Sequence, residues 1–146
     1  MPNTKAVGVA FSDPQFDSLT VTGATSLQAT TATTVTASTN LVIASATVAA
    51  TGSSNTDAAT VAGGFTLVTA ADATKGVILS APVAGTVVII KNVDVANAVL
   101  KVYPNSGAAI NALTATTGAY SMAAKTSMIL VAYSATQWYT LPLVAS

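Results

Sequence analysis

Three of the five aspartates in this sequence are candidates for binding a metal ion. Asp57, Asp72 and Asp94 carry carboxylates, which are the oxygen ligands that bind Ca²⁺ in proteins. Their spacing lacks the dense alternation of a calcium-binding loop, so the sequence favours the alternative that each aspartate stabilises a turn. The run TKG at 74–76 shares letters with the end of a phosphate-binding loop but lacks the preceding glycines, which makes chance the better explanation. We therefore predict no catalytic residue, no metal site and no cofactor.

Aromatic side chains near the end of the sequence could bind a sugar instead. Trp138 and Tyr139 follow Gln137, and together they could form an exposed aromatic platform of the kind on which sugar rings stack. The alternative is that a lone tryptophan on a late strand closes a hydrophobic core, and the sequence favours this second interpretation.

The composition excludes much of the chemistry that enzymes use. The 146 residues include no His, Cys, Glu or Arg, and the charged residues are five Lys and five Asp. Most acid–base, nucleophilic and metal chemistry draws on the absent types, so we expect no enzyme. Charged residues make up 7% of the chain and the formal net charge is zero, which argues against binding to nucleic acid or to an anionic membrane.

A repeat occupies the run LTVTGATSLQATTATTVTASTNLVI at 19–43, and it is the first structural element that the sequence indicates. A large apolar residue recurs every eighth position, and Thr, Ser and Ala fill most of the sequence between. The spacing misses the helical period and the run of β-branched threonines is a poor helix former, so the repeat favours β-structure. A helix and a disordered Thr/Ala linker are the alternatives.

A single copy of this repeat cannot stabilise itself. Ordering eight residues costs on the order of 8–16 kcal/mol of backbone entropy. Burying one leucine returns roughly 2–3 kcal/mol. Several copies that wind around one axis would bury these side chains against each other, so the repeat predicts an intertwined oligomer.

The C-terminal region predicts an all-β domain. Short β-rich runs lie at about 65–69, 76–80, 85–91, 98–103, 127–133 and 137–143, and turn residues separate them. The continuous apolar runs VVII at 87–90 and MILV at 128–131 are typical of strands covered on both faces. Close spacing of short strands indicates a small antiparallel β-sandwich or barrel. The predicted organisation is an arm at 1–16, the repeat at 17–50, a linker at 51–62 and the β-domain at 63–146.

The repeat and the C-terminal run KGVILSAPVAGTVVIIKNV…AVLKVYPNSGAAINAL…SMILVAYSATQWYTL resemble segments of phage virion proteins. Such segments occur in capsid decoration (cement) proteins, head fibres and tail fibres. The resemblance implies a homotrimer on the capsid surface, with the repeat at the three-fold axis, the β-domain as a knob and the major capsid protein as partner. The predicted trimer interface consists of Leu19, Val21, Leu27, Val35, Leu41 and Ile43.

The N-terminal arm is the predicted capsid-binding segment. Its start lacks the apolar core of a signal peptide, so no secretory export is expected. The resemblance to phage proteins implies synthesis in the host cytoplasm and a place on the virion. Val7, Val9 and Phe11 alternate as an added strand would, and Phe16 extends the apolar set. A frayed terminus is the alternative. The sequence thus predicts a decoration protein first, and a tail-fibre segment or glycan-binding fibre tip as the alternative.

Overall fold

A computed structural model of the chain describes residues 34–141. Within this range the regular structure is entirely β, and no helix occurs. The strands of the described part are β1 Ser45–Ala49, β2 Ala59–Val61, β3 Gly64–Thr69, β4 Gly76–Leu79, β5 Val87–Asn92, β6 Leu100–Tyr103, β7 Ala109–Ile110, β8 Tyr120–Met122, β9 Ser127–Ser134 and β10 Gln137–Leu141. The chain divides into two compact units, and the second unit begins at Asn40 and contains all of these strands.

The first six strands form a β-solenoid-like stack of coils. Among these six, β1, β3 and β5 lie in one sheet and β2, β4 and β6 in the other, so each coil contributes one strand to each sheet. The larger sheet has the order β1-β3-β5-β9-β10-β7, and the smaller sheet has the order β2-β4-β6-β8. Strands of successive coils pair in parallel. Ser45 pairs with Phe65 and Phe65 pairs with Ile89, which places successive coils 20 and 24 residues apart in sequence.

The chain reverses direction after the third coil. Strand β8 pairs antiparallel with β6, and β9 pairs antiparallel with β5. Strand β10 then returns antiparallel along β9 and pairs in parallel with the short strand β7. The reversed strands therefore cover the last coil in both sheets.

The two sheets share one hydrophobic core between their inward faces. Every second residue of the central strands is buried, as the alternation of side chains along a strand requires. The largest fully buried apolar side chains of the core are Val61, Val68, Val77, Leu79, Val88, Ile90, Leu100, Val102, Ile110, Leu130 and Trp138. Both sheets contribute to this set, so the core holds the sheets together.

One glycine allows the coils to approach closely. A Cβ atom placed on Gly76 would lie 2.5 Å from the Tyr103 ring and 2.6 Å from the Lys101 carbonyl oxygen. The backbone of Gly76 also exchanges hydrogen bonds with Thr51 in the preceding coil, in both directions. Any larger residue would separate the coils at this point.

The described residues confirm the predicted all-β class, but the strand pairing differs from the prediction. The antiparallel arrangement is wrong for the coils, because their strands pair in parallel. The sequence missed β2, β7 and β8, each of which has three residues or fewer. Strand β1 lies in the predicted repeat segment 17–50 and β2 in the predicted linker 51–62, yet both pair with the folded unit.

Two leucines test the position of the core. Leu130 is fully buried between the sheets, whereas Leu113 is 38% exposed in a turn. We expect Leu130→Ala to lower the free energy of unfolding by about 2–5 kcal/mol, because the truncation leaves a cavity. The matched change Leu113→Ala should stay within about 1 kcal/mol of the wild type. Urea unfolding followed by Trp138 fluorescence measures both, and equal losses would contradict this core.

Candidate interaction surface

The larger sheet has a second apolar face that points away from the core. Residues of β3, β5, β9 and β10 that alternate with the buried ones are also mostly apolar, and they are half-buried or exposed. We call this surface the outer face. It consists of Phe65, Leu67, Val87, Ile89, Ile129, Val131, Tyr133, Tyr139 and Leu141.

Strand register aligns these side chains into rows across the sheet. Ile89 pairs with Phe65 on one side and with Ile129 on the other, and Ile129 pairs with Leu141. These pairings give one continuous apolar row over four strands, because directly paired residues point to the same side of a sheet.

A second row ends in a pair of tyrosines. Val131 pairs with Val87 on β5 and with Tyr139 on β10. The rings of Tyr139 and Tyr133 meet edge to face, with centroids 6.0 Å apart and an interplanar angle of 64°. Tyr133 is 74% exposed and Tyr139 is 47% exposed, so this aromatic pair is open to a partner.

Charge is nearly absent from the outer face. Among the strands that build it, Lys91 is the single charged residue. The Lys91 ammonium donates a hydrogen bond to the Lys125 carbonyl oxygen at the end of the sheet. The remaining surface can therefore contact another apolar surface without burying an unpaired charge.

A shallow groove of about 320 Å³ borders the outer face at β1. Ser45, Ala46 and Thr47 of β1 line one side, and Phe65 and Leu67 of β3 line the other. Small side chains beside large ones leave this step in the surface. Within residues 34–141, β1 is also an edge strand of the larger sheet.

Three residues of the predicted trimer interface lie in the described part of the chain. Val35 is 79% exposed, Leu41 is 77% exposed and Ile43 is 47% exposed. Val42, between the last two, is 88% exposed and was not singled out from the sequence. Leu19, Val21, Leu27 and the arm residues Val7, Val9, Phe11 and Phe16 lie outside the described residues.

The favoured interpretation of Trp138 as a core residue is confirmed, and the alternative, an exposed aromatic platform, is wrong at this residue. Its side chain is fully buried in the core, because strand alternation turns Trp138 inward beside Ala132. Tyr139 points to the outer face, where its partner is Tyr133 from the neighbouring strand. Sequence order drew attention to Trp138, whereas pairing between β9 and β10 brings the two exposed tyrosines together.

The aspartates stabilise turns. The Asp57 carboxylate accepts hydrogen bonds from the backbone and hydroxyl of Ser54 and from the Ser53 N–H. The Asp72 carboxylate accepts hydrogen bonds from the backbones of Lys75 and Thr74 and from the Thr74 hydroxyl.

Asp72 has one further contact, and Asp94 also bonds to the backbone. Lys75 forms an exposed ion pair with Asp72 at 3.1 Å, and Asp94 accepts a hydrogen bond from the Ala98 N–H. Across residues 34–141, no three side chains of the metal-binding types cluster together. The described acidic residues therefore serve local backbone geometry.

No protein-family model, curated protein or solved structure matches this chain. The part of the chain that the structure describes includes no helix that is long and apolar enough to cross a bilayer. No relative therefore assigns an activity by similarity, and the outer face is the surface from which a function can be argued.

The hydrogen-bonded aspartates contribute to the loss of stability at acid pH. The Ser54 hydroxyl and the neighbouring N–H groups lower the pKa of Asp57, and the Lys75 N–H and the Thr74 hydroxyl lower the pKa of Asp72. A lowered folded-state pKa stabilises the fold above the unfolded pKa of about 3.9, and this stabilisation is lost as the pH falls through the folded value. At alkaline pH, Tyr103 has the opposite effect, because burial and the Asp57 carboxylate raise the pKa of its hydroxyl. A raised folded-state pKa stabilises the fold below the unfolded value of about 10, and this stabilisation is lost as the pH rises through the folded value.

We expect a nearly constant melting temperature between about pH 5.5 and about pH 8.5, since the sequence has no His or Cys to titrate there. Below about pH 4 the melting temperature should fall, and Asp72→Asn should reduce this fall. Above about pH 10 it should fall again, less so in Tyr103→Phe. Calorimetric scans across this range measure all three proteins. A transition centred near neutral pH would contradict the assignment.

Proposed function

We propose that this chain is a non-enzymatic structural protein of a phage virion, a homotrimeric decoration protein that binds the outer surface of a capsid and stabilises it. The observation that carries the proposal is the apolar, nearly uncharged outer face on a solenoid-like fold. Large contiguous apolar patches on soluble proteins mark sites of protein contact. In this proposal the repeat segment lies at the three-fold axis and the β-domain, as a small sandwich, forms the knob.

The polar residues support a structural role. The carboxylates of Asp57 and Asp72 are engaged in turns, and the chain lacks the residue types of most catalytic and metal sites. Hydrogen-bonded strands and a continuous core give the described unit a rigid frame. A protein that reinforces a shell needs rigidity and contact surface, and it needs no reactive group.

The exposed side chains before β1 support assembly into an oligomer. Leu41, Val42 and Ile43 form an apolar run, and their exposed fractions are 77%, 88% and 47%. An isolated chain gains nothing by exposing such a run, whereas sister chains that meet there would bury it. Three arms on one trimer would then add modest capsid contacts into a lasting attachment.

A fibre segment or receptor-binding tip is the second candidate. The exposed Tyr133–Tyr139 pair favours it, because aromatic faces are a common surface for sugar rings. Imaging of labelled chains on virus particles distinguishes the two, since a decoration protein covers the head and a fibre protein marks the tail.

Capsid binding tests the main proposal. We expect the full chain to co-sediment with undecorated capsids of the virus that encodes it and to raise the temperature at which they disrupt. Deletion of residues 1–14 should abolish co-sedimentation and leave a folded trimer, because it removes most of the apolar arm. Full binding by the deletion variant would exclude the arm, and no binding by the intact chain would contradict the decoration role.

Paired substitutions test the trimer. Leu41 and Val95 are 77% and 90% exposed in the single chain, and Val95 lies in a loop outside the predicted interface. We expect Leu41→Asp to shift the wild-type trimer toward monomer, because a buried unpaired charge costs several kcal/mol. Val95→Asp should leave the trimer intact. Sedimentation velocity at micromolar concentration measures the masses, and equal effects of the two changes would place Leu41 outside the interface.

A further inference from the structure

We propose that the outer face of the larger sheet is a contact between copies of this chain, in which the faces of three β-domains meet around the three-fold axis. The proposal rests on the trimer of the proposed function and is independent of capsid binding. It assigns a partner to a surface that the sequence-based interface, limited to residues 19–43, did not include.

The outward sides of the two sheets differ in polarity and in how far the chain itself covers them. On the outward side of the smaller sheet, Lys101 donates a hydrogen bond to the Ser121 hydroxyl. Tyr103 on the same side is covered by the chain's own turn, where its hydroxyl donates to the Ser53 carbonyl oxygen at 2.6 Å. The smaller sheet is therefore polar or covered by the same chain. The outer face of the larger sheet is apolar, and no other segment of residues 34–141 covers it.

The distribution of charge favours a second copy as the occupant. Two identical charged surfaces would repel each other, whereas the rows through Ile129 and Val131 contain no charge. Lys91 lies at the border of the face and its ammonium is bound to the Lys125 carbonyl oxygen. A strongly acidic or basic partner would find no complementary charge on these rows. Another copy of the same apolar face needs none.

Continuity along the chain supports the same occupant. The exposed run Leu41–Ile43 leads directly into β1, which is the edge strand beside β3 on this face. Chains that meet along Leu41–Ile43 would therefore bring their larger sheets close together. The groove between β1 and Phe65 gives the neighbouring face a step into which a side chain can pack.

The size of the face explains why it would need the repeat segment. Four strands at about 4.8 Å spacing and about seven residues at 3.3 Å each give a footprint of roughly 400 Å². A stable interface buries about 800 Å² on each partner. The face alone is therefore too small to hold free copies together. Copies already tethered by the repeat reach effective concentrations on the order of millimolar, where such a contact forms.

Engineered cysteines provide the test, because the chain has no cysteine of its own. Ile129 lies on the central strand β9 in the middle of the outer face, and Ile89 pairs with it on β5. Val95 is 90% exposed in the loop after β5 and serves as the control. The full chain is prepared as Ile129→Cys, Ile89→Cys or Val95→Cys, oxidised mildly at micromolar concentration and resolved on a non-reducing gel.

We expect disulfide-linked dimers from Ile129→Cys and from Ile89→Cys, in about two of every three chains, because a trimer leaves one cysteine without a partner. Val95→Cys should give at least tenfold less dimer despite its greater exposure. Circular dichroism confirms that each variant folds. If neither face variant exceeds the Val95→Cys control, the proposal is overturned, whether or not the wild type is a trimer. Efficient cross-linking by a protein that fails to bind capsids would support this contact and overturn the decoration role instead.

Discussion

The structure depends on the hydrogen bonding of strands in successive coils, from β1 to β6, in a fixed parallel register. Because paired residues point to the same side, one pairing such as Phe65 with Ile89 determines the facing of every residue in both strands. A shift by one residue would turn Val88 and Ile90 outward and place Ile89 and Lys91 in the core. The core and the outer face are therefore two results of a single register.

Interactions at the corners hold that register. Gly76 allows Tyr103 to lie against the backbone of the neighbouring coil, and the Tyr103 hydroxyl then ties β6 to the turn at Ser53. At the C-terminal end of β5, the buried Asn92 amide donates hydrogen bonds to the Ala98 and Ala123 carbonyl oxygens. These few polar contacts link loops that are far apart in sequence, and they satisfy backbone groups that burial would otherwise leave without partners.

The local sequence pattern predicted the positions of strands more reliably than it predicted which strands pair with each other. The runs that became β3, β4, β5, β6, β9 and β10 were visible as apolar, β-branched segments between turns. Parallel pairing was not visible, because a short connection that crosses to the other sheet has the same length as a hairpin. The apolar runs at 87–90 and 128–131 correctly indicated two apolar faces, of which residues 34–141 cover one. The aromatic site depended on the pairing of β9 with β10, which no local pattern contains.

The reversal at β8 and β9 gives the fold a direction of growth. Antiparallel strands occupy the side of the last coil on which a further coil would have to stack. Addition of whole coils of 20 to 24 residues is therefore compatible with the stack on the β1 side or between existing coils. Duplication of such units would lengthen the stack, and the reversed strands β8, β9 and β10, which carry the tyrosine pair, would still close its end.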